Sequence, residues 1–295
     1  MASTPQKKPP LSINELVAKV SQSEIASINT VVQKLLEIIR NPNSSAMDLK
    51  KEIEVDPPLS AKLLRRANSA YFGVKRKISS IQEAIIFIGF NTVKEMAYSV
   101  KVGEFFSKSE EIGGYSRKRL WEHSVAVALL AKNIYRREFL VEGNEIYSLA
   151  LLHDLGMIVE EQFLPNEFAT VIDTVGKGNP TCALDVEQAV LGYTHCAIAR
   201  RLMESWNFPR ETVVPISFHH NPFFADQQLS TSPLTLFVAE QLCARQGLGM
   251  DPFIMIDDNG LAKALEMLKL NPKSVEIIAK DVVAEVGKMQ EHGAL

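Results

Sequence analysis

The sequence predicts an all-α fold. Apolar residues recur at three- and four-residue spacing along most of the chain, the pattern of amphipathic helices. Alternating apolar and polar runs, which mark half-buried strands, are almost absent. Ser and Asp starts and Gly and Pro stops cut the pattern into pieces of helix length.

The elements follow in order. Residues 1–12, MASTPQKKPPLS, are polar and Pro-rich and are expected to form a disordered leader. They lack the apolar run of a signal peptide. A first helix is expected from Ser27 to Arg40, on the stripe Ile28, Val31, Val32, Leu35 and Ile39, closed by Asn41-Pro42-Asn43. Ser45 and Asp48 make a capping-box pattern that opens a second helix, which Asp56-Pro57-Pro58 breaks. Leu59, Leu63, Leu64 and Ala67 carry a third. Ser80 and Glu83 open a short helix ending at Gly89, and Thr92 to Phe106 is one more.

The loop SKSEEIGGYS then suggests a boundary near residue 112. It separates an N-terminal helical part, 13–112, from a core over 113–250 and C-terminal helices over 251–295. In the core, helices are expected over Leu120–Tyr135 and over Asn144–Leu155, the latter stopped by Gly156. Asp185–Trp206 reads as helical with a break at Gly192. Another helix starts at Pro209 and runs to His220 with a kink at Pro215, and Pro233–Arg245 follows. The tail carries one helix with Leu261, Ala264, Leu265 and Leu268. A second, after Pro272, holds Val275, Ile278, Val282 and Val286.

Composition narrows the function classes. The chain has 295 residues, 46% of them apolar, enough for one large core or two modest ones. A net charge of -3 shows no global basic bias toward nucleic acid. Cys182, Cys196 and Cys243 are odd in number and form no CxxC pair, so they read as reduced thiols of a cytoplasmic protein. No run approaches the roughly 18 apolar residues of a membrane helix.

Five of the six histidines fall between residues 123 and 220. A single helical histidine is ordinarily a satisfied core or surface residue. Here His123 shares a face with Val127, Leu130 and Ile134, and His195 shares one with Ile198, Ala199 and Leu202. His153 and Asp154 sit inside the apolar run LALLHDLG, and His219-His220 ends an apolar helix. A carboxylate in such a run is costly to bury unless paired or bound to a cation. Inward imidazoles with one carboxylate suit a divalent transition metal such as Fe, Mn, Zn or Ni. The donors suffice for one ion or for a dinuclear pair that activates water and clamps a phosphate.

The segments LWEHSVAVALLA, ALLHDLG, VLGYTHCAIARRLMESWNFP and ISFHHNP resemble, in that order, blocks of the HDOD branch of the HD superfamily. Upstream, VDPPLSAKLLRRANSAYFG and ISSIQEAIIFIG resemble the N-terminal half of the same module. The resemblance covers roughly residues 27–245. It implies a helical HD-domain core with an N-terminal helical bundle. It also implies a ligand series matching that of the HD-GYP phosphodiesterases, which cleave cyclic dinucleotides: His123, His153, Asp154, His195, His219 and His220, with Glu240 where the family places an aspartate. Three departures stand out. Arg119 occupies the place of a glutamate one turn before the first histidine, Met157 replaces the lysine that usually follows HD-x-G, and the GYP segment is absent.

The resemblance therefore implies a signal-transduction or regulatory module of the HDOD type with a retained but catalytically degenerate metal site. Its partners would be regulatory proteins and a nucleotide second messenger, with no membrane. The alternative is a metal-dependent phosphohydrolase or cyclic-dinucleotide phosphodiesterase. Nucleic-acid binding, suggested only by Arg65-Arg66 and Lys75-Arg76-Lys77, lacks an aromatic platform or reader motif and is not expected.

Overall fold

Capping chemistry sets the N-terminal half of the computed structural model, which describes residues 11–107, 111–176, 182–248 and 254–295. Ser12 and Glu15 form a reciprocal capping box that opens α1 (Ile13–Val20). No helix was expected there. The leader lies, up to residue 10, outside the described residues. Ser23 caps α2 (Glu24–Arg40), which starts three residues earlier than expected. The Ser45–Asp48 box opens α3 (Ala46–Glu54) as anticipated, and Asp56 accepts from the Leu59 amide to start α4 (Pro57–Ala67). Prolines at a helix start give up no hydrogen bond, which is why the pair begins α4 as well as ending α3. Next come α5 (Ile81–Ile88) and α6 (Phe90–Val102), separated only by Gly89.

The second half begins with the longest helix, α7 (Arg117–Arg137), followed by α8 (Asn144–Ala150), α9 (Leu155–Phe163) and α10 (Pro165–Gly176). The expected continuous helix over Asn144–Leu155 is in fact two helices. Between them Leu152, His153 and Leu155 make tighter bonds to the carbonyls three residues back. Gly156 does not stop a helix; it lies inside α9. Helix α10 carries no expected counterpart. The Asp185–Trp206 stretch divides as expected, into α11 (Ala183–Leu191) and α12 (His195–Ser205), with left-handed Gly192 (φ +85°) at the break. Helix α13 (Arg210–Ser217) contains Pro215 and ends before His219. The chain closes with α14 (Thr231–Arg245), α15 (Asp258–Met267) and α16 (Pro272–Glu291).

Among the described residues the fold is all-α, with only one isolated bridge, Ile112 to Tyr115. Helix α7 is the axis of the second half. It packs on α8, α14 and α16, while α12 packs on α9 and α13. In the first half α6 lies against α2, α4 and α5. One buried apolar cluster runs through both, from Leu16 to Ala294. The halves are also stitched by polar contacts: Arg40 bonds Thr212 at 2.6 Å and pairs with Glu145 at 2.7 Å. Among the described residues no helix is long and apolar enough to cross a membrane. Part of the expected boundary loop (108–110) and the 250/251 division fall outside the described residues.

Candidate metal centre

The chain brings all seven expected ligand residues to one place. His123 comes from α7, His153 and Asp154 from the tight turn before α9, His195 from the first position of α12, His219 and His220 from the turn after α13, and Glu240 from α14. Six of them are buried, and His220 is partly exposed, its side chain at 18%. The early end of α13 has a purpose here. Adjacent helical residues point about 100° apart, whereas in the turn the His219 and His220 rings lie with centroids 4.0 Å apart.

Asp154 sits at the middle. Its Oδ2 lies 3.0 Å from His153 Nε2 and 3.8 Å from His123 Nε2. Its Oδ1 lies 3.5 Å from His219 Nε2 and 3.6 Å from His195 Nε2. Each oxygen thus faces a different pair of rings. The rings are fixed from behind. His123 Nδ1 meets the Leu248 carbonyl at 3.0 Å, His153 Nδ1 the Ala150 carbonyl at 2.6 Å, and His219 Nδ1 the Ile216 carbonyl at 2.7 Å. A carbonyl only accepts, so each Nδ1 carries a proton and each Nε2 is left as the ligand atom facing inward. Among the described residues those three Nε2 atoms are buried without a hydrogen-bond partner, and so are both oxygens of Glu240. At 3.0 Å, His153 Nε2 is near Asp154 but lacks hydrogen-bond alignment. Buried orphans are rare in native proteins. Their convergence around one carboxylate is what a divalent transition ion would satisfy, and the donor set fits such an ion.

Glu240 is deeply placed. It is 1% exposed, forms a ligand-spaced group with His123 and His153, and its Oε2 lies 3.2 Å from His220 Nδ1. Three further residues escaped the sequence reading. Glu187 on α11 grips His195 twice: Oε1 accepts from Nδ1 at 2.8 Å and Oε2 from the backbone amide at 2.8 Å. Its signal was a charged residue within the otherwise apolar face of DVEQAVL, eight positions before the histidine. Cys196 is buried with Sγ 3.4 Å from His195 Nε2. Glu160 on α9 is fully buried with both oxygens unpartnered.

The backbone is tailored to the cluster at Gly156. A Cβ there would lie 2.0 Å from the His195 carbonyl oxygen and 2.7 Å from its carbon. The starts of α9 and α12 therefore touch through the missing side chain, which sets Asp154 against His195.

Electrostatics match this packing. Burial opposes ionisation of Asp154, yet the His153 and His219 rings hold its carboxyl well below the usual range. Burial likewise opposes charge on His195 and His219. The Cys196 sulfur, with Glu187 for the one ring and Asp154 for the other, holds both well above the ordinary histidine range. Glu240 is drawn down to about 2 against its burial, chiefly by His220. Glu160 goes the other way: burial, then the charge of Glu187, pushes it well above the usual range. A cleft of about 650 Å³ opens onto the cluster, with Cys196, His220, Arg200, Phe218 and Phe224 in its wall.

A family model for the HDOD domain matches residues 25–222, a stretch that holds every candidate ligand except Glu240. An uncharacterised protein of Treponema pallidum is 28% identical over 214 residues, 70% of this chain. The chain spans only about 40% of that relative's length. Among solved structures, an HDOD domain protein of unknown function from Geobacter sulfurreducens superposes with a TM-score of 0.71 at 21% identity, covering 95% of this chain and 96% of that one. A candidate phosphohydrolase from Shewanella amazonensis gives 0.70 at 20% identity, covering 96% and 98%. A candidate signal transduction protein from Marinobacter aquaeolei gives 0.71 at 22% identity, covering 90% of this chain and 58% of that one. Likenesses at this identity show a shared fold.

Proposed function

Because the chain belongs to the HDOD domain family, we propose that it is a bacterial signal-transduction module whose HD-type centre holds metal but hydrolyses poorly. One or two divalent ions of Fe, Mn, Zn or Ni would be held by His123, His153, Asp154, His195, His219, His220 and Glu240. Bound there, such an ion would lower the pKa of water and neutralise phosphate charge. The output of the module would pass to regulatory partner proteins, and a nucleotide second messenger is the ligand class suited to the cleft.

The observation that carries this reading is Met157. It lies in the first turn of α9 beside Asp154 and is 5% exposed, at the position where the resemblance implies a phosphate-binding lysine. A buried thioether supplies neither charge nor a strong donor. Phosphoryl chemistry depends on charge stabilisation and in-line positioning, and Met157 supplies neither. The proposal does not include nucleic acid; of the basic residues noted in the sequence, Arg66 bonds Ser99 and Arg76 is engaged by Glu83 and the Phe87 ring.

One observation favours the phosphohydrolase alternative. Arg200, with a side chain 55% exposed, lies in the cleft wall with His220 and bonds Glu204 along its own helix. A turnover assay separates the two readings, using Mn- or Fe-loaded protein on a panel of phosphodiesters and nucleotides. The expected kcat falls far below the roughly 1–1000 s⁻¹ typical of enzymes. A kcat within that range, abolished by Asp154→Ala, overturns the signalling reading. Cyclic-dinucleotide binding without turnover supports it.

A further inference from the structure

One donor in the cluster is neither imidazole nor carboxylate. Cys196 follows His195 in the first turn of α12, is buried, and points its sulfur at the metal-facing side of that ring. Its Sγ lies 3.4 Å from His195 Nε2 and 3.9 Å from His219 Nδ1, while His220 Nε2 lies 3.2 Å from His195 Nε2. Ligand atoms of His195, Cys196, His219 and His220 all fall within 4.8 Å of one another. Beside them His219 Nε2 is fully buried and unpartnered.

These lengths can be compared with a coordination polyhedron. Around a tetrahedral ion with nitrogen at about 2.0–2.1 Å and sulfur at about 2.3 Å, two nitrogens stand roughly 3.3 Å apart, and nitrogen and sulfur roughly 3.5 Å. The observed 3.2 Å and 3.4 Å edges are close to both. Two edges of such a polyhedron are thus present at His195, and the ligand atoms of His195, His220 and Cys196 all lie within 4.8 Å of one another.

We propose that Cys196 is a thiolate ligand in the half of the centre built by His195 and His220. That half would be a sulfur and nitrogen site, selective for a thiophilic ion such as Zn(II) or Fe(II). The half built by His123, His153 and Glu240 has nitrogen and oxygen donors alone and suits Mn(II) as well. The two halves would differ in softness, so they would fill with different ions from a mixed supply. The proposal rests on the metal-centre reading above, and it makes a claim that reading does not need. The competing account is a plain S–H to imidazole hydrogen bond.

The experiment uses the full chain, stripped of metal and loaded with Co(II), then with Zn(II). Co(II) bound to a thiolate gives an intense near-ultraviolet sulfur-to-cobalt charge-transfer band. The expected result is that band in the wild-type protein, its loss in Cys196→Ser, and its retention in Cys182→Ser and Cys243→Ser. X-ray absorption of the Zn(II) form should show sulfur at about 2.3 Å. Cys196→Ser should weaken Zn(II) binding by at least roughly ten- to a hundredfold, the loss that even outer partners of ligands produce, with a much smaller change for Mn(II). Should Cys196→Ser fold poorly, the band and the absorption spectrum of the wild-type chain decide alone. Co(II) bound without the band, or equal losses for Zn(II) and Mn(II), overturns the thiolate and leaves the centre standing. Failure of the wild-type chain to bind either ion overturns the centre and the thiolate together.

Discussion

Replacing Gly156 with alanine tests whether the contact between α9 and α12 builds the centre. Helix propensity by itself favours the change, since alanine exceeds glycine inside a helix by about 0.8–1.0 kcal/mol. The structure reverses that sign. The new methyl group would stand 2.0 Å from the His195 carbonyl oxygen, with the carbonyl carbon at 2.7 Å and Cα at 2.9 Å. A comfortable carbon-to-oxygen approach is roughly 3.3 Å, so the two helix starts must part by about 1.3 Å. Neither side can yield by a rotamer change, because the atoms struck are backbone. Forced insertions of one methyl into a packed interior cost about 1–3 kcal/mol, and this one sits at the upper end. The same displacement carries His195 away from Asp154, so metal affinity falls with stability.

Gly287 in α16 is the control, since a Cβ there meets nothing within 4 Å. The assay is urea denaturation of both variants without metal, with Zn(II) affinity measured by chelator competition. Gly156→Ala should lose about 2–3 kcal/mol and at least tenfold in affinity, while Gly287→Ala should gain about 0.5–1 kcal/mol. A Gly156→Ala protein as stable as the Gly287→Ala protein, with wild-type affinity, would refute the reasoning.

Three other outcomes are expected. Glu187→Gln removes the charge that orients His195 and should weaken Zn(II) binding by about 10–100-fold; chelator competition showing less than a threefold change would count against that role. Zn(II) affinity should tighten from pH 6 to pH 8, because the ion must displace protons that His195 and His219 hold above the ordinary range; calorimetry in buffers of different ionisation enthalpy checks the protons released, and a flat profile would be inconsistent. Glu160 keeps its proton in the folded chain above the ordinary value of 4.5, so the unfolded chain binds fewer protons and stability declines as pH rises from there toward the raised folded value. Glu160→Gln should remove that decline in metal-free protein, matching the wild type near pH 4 and exceeding it at pH 7. Parallel curves would show that Glu160 ionises normally.

Much of this was legible in the sequence wherever a local rule governs. Ser45 with Asp48, Asp56 before two prolines, and Gly192 each mark an end that depends on a few neighbouring residues, and each end is found there. The ligand histidines were legible because an imidazole or a carboxylate in an apolar stripe is itself an anomaly. The break at Leu151–Asp154 was not. Every residue from Leu149 to Val159 is buried, so apolar periodicity, which measures one-sided burial, has nothing to report. Helix α1 hid for the opposite reason, since eight residues make too short a stripe to stand out beside a polar leader. Glu187, Cys196 and Glu160 are ordinary residues of ordinary helices until α9, α11 and α12 are packed together. Their roles exist only at that level.

The meeting of four rings on Asp154 also bears on the order in which the chain can fold. Its partners come from residue 123 to residue 219, and the cluster closes only with Glu240, which meets His220. Apart from the adjacent His153, no short loop joins them to Asp154, and the entropy of closing long loops falls due before the distant contacts form. The helices can collapse on their apolar faces first, whereas the desolvated carboxylate gains its distant ring partners only when α7, α12 and the turn after α13 have all docked. This centre is therefore a late product of folding and not its nucleus. Destabilising changes within it should act mainly on the unfolding rate, leaving the speed of folding nearly untouched.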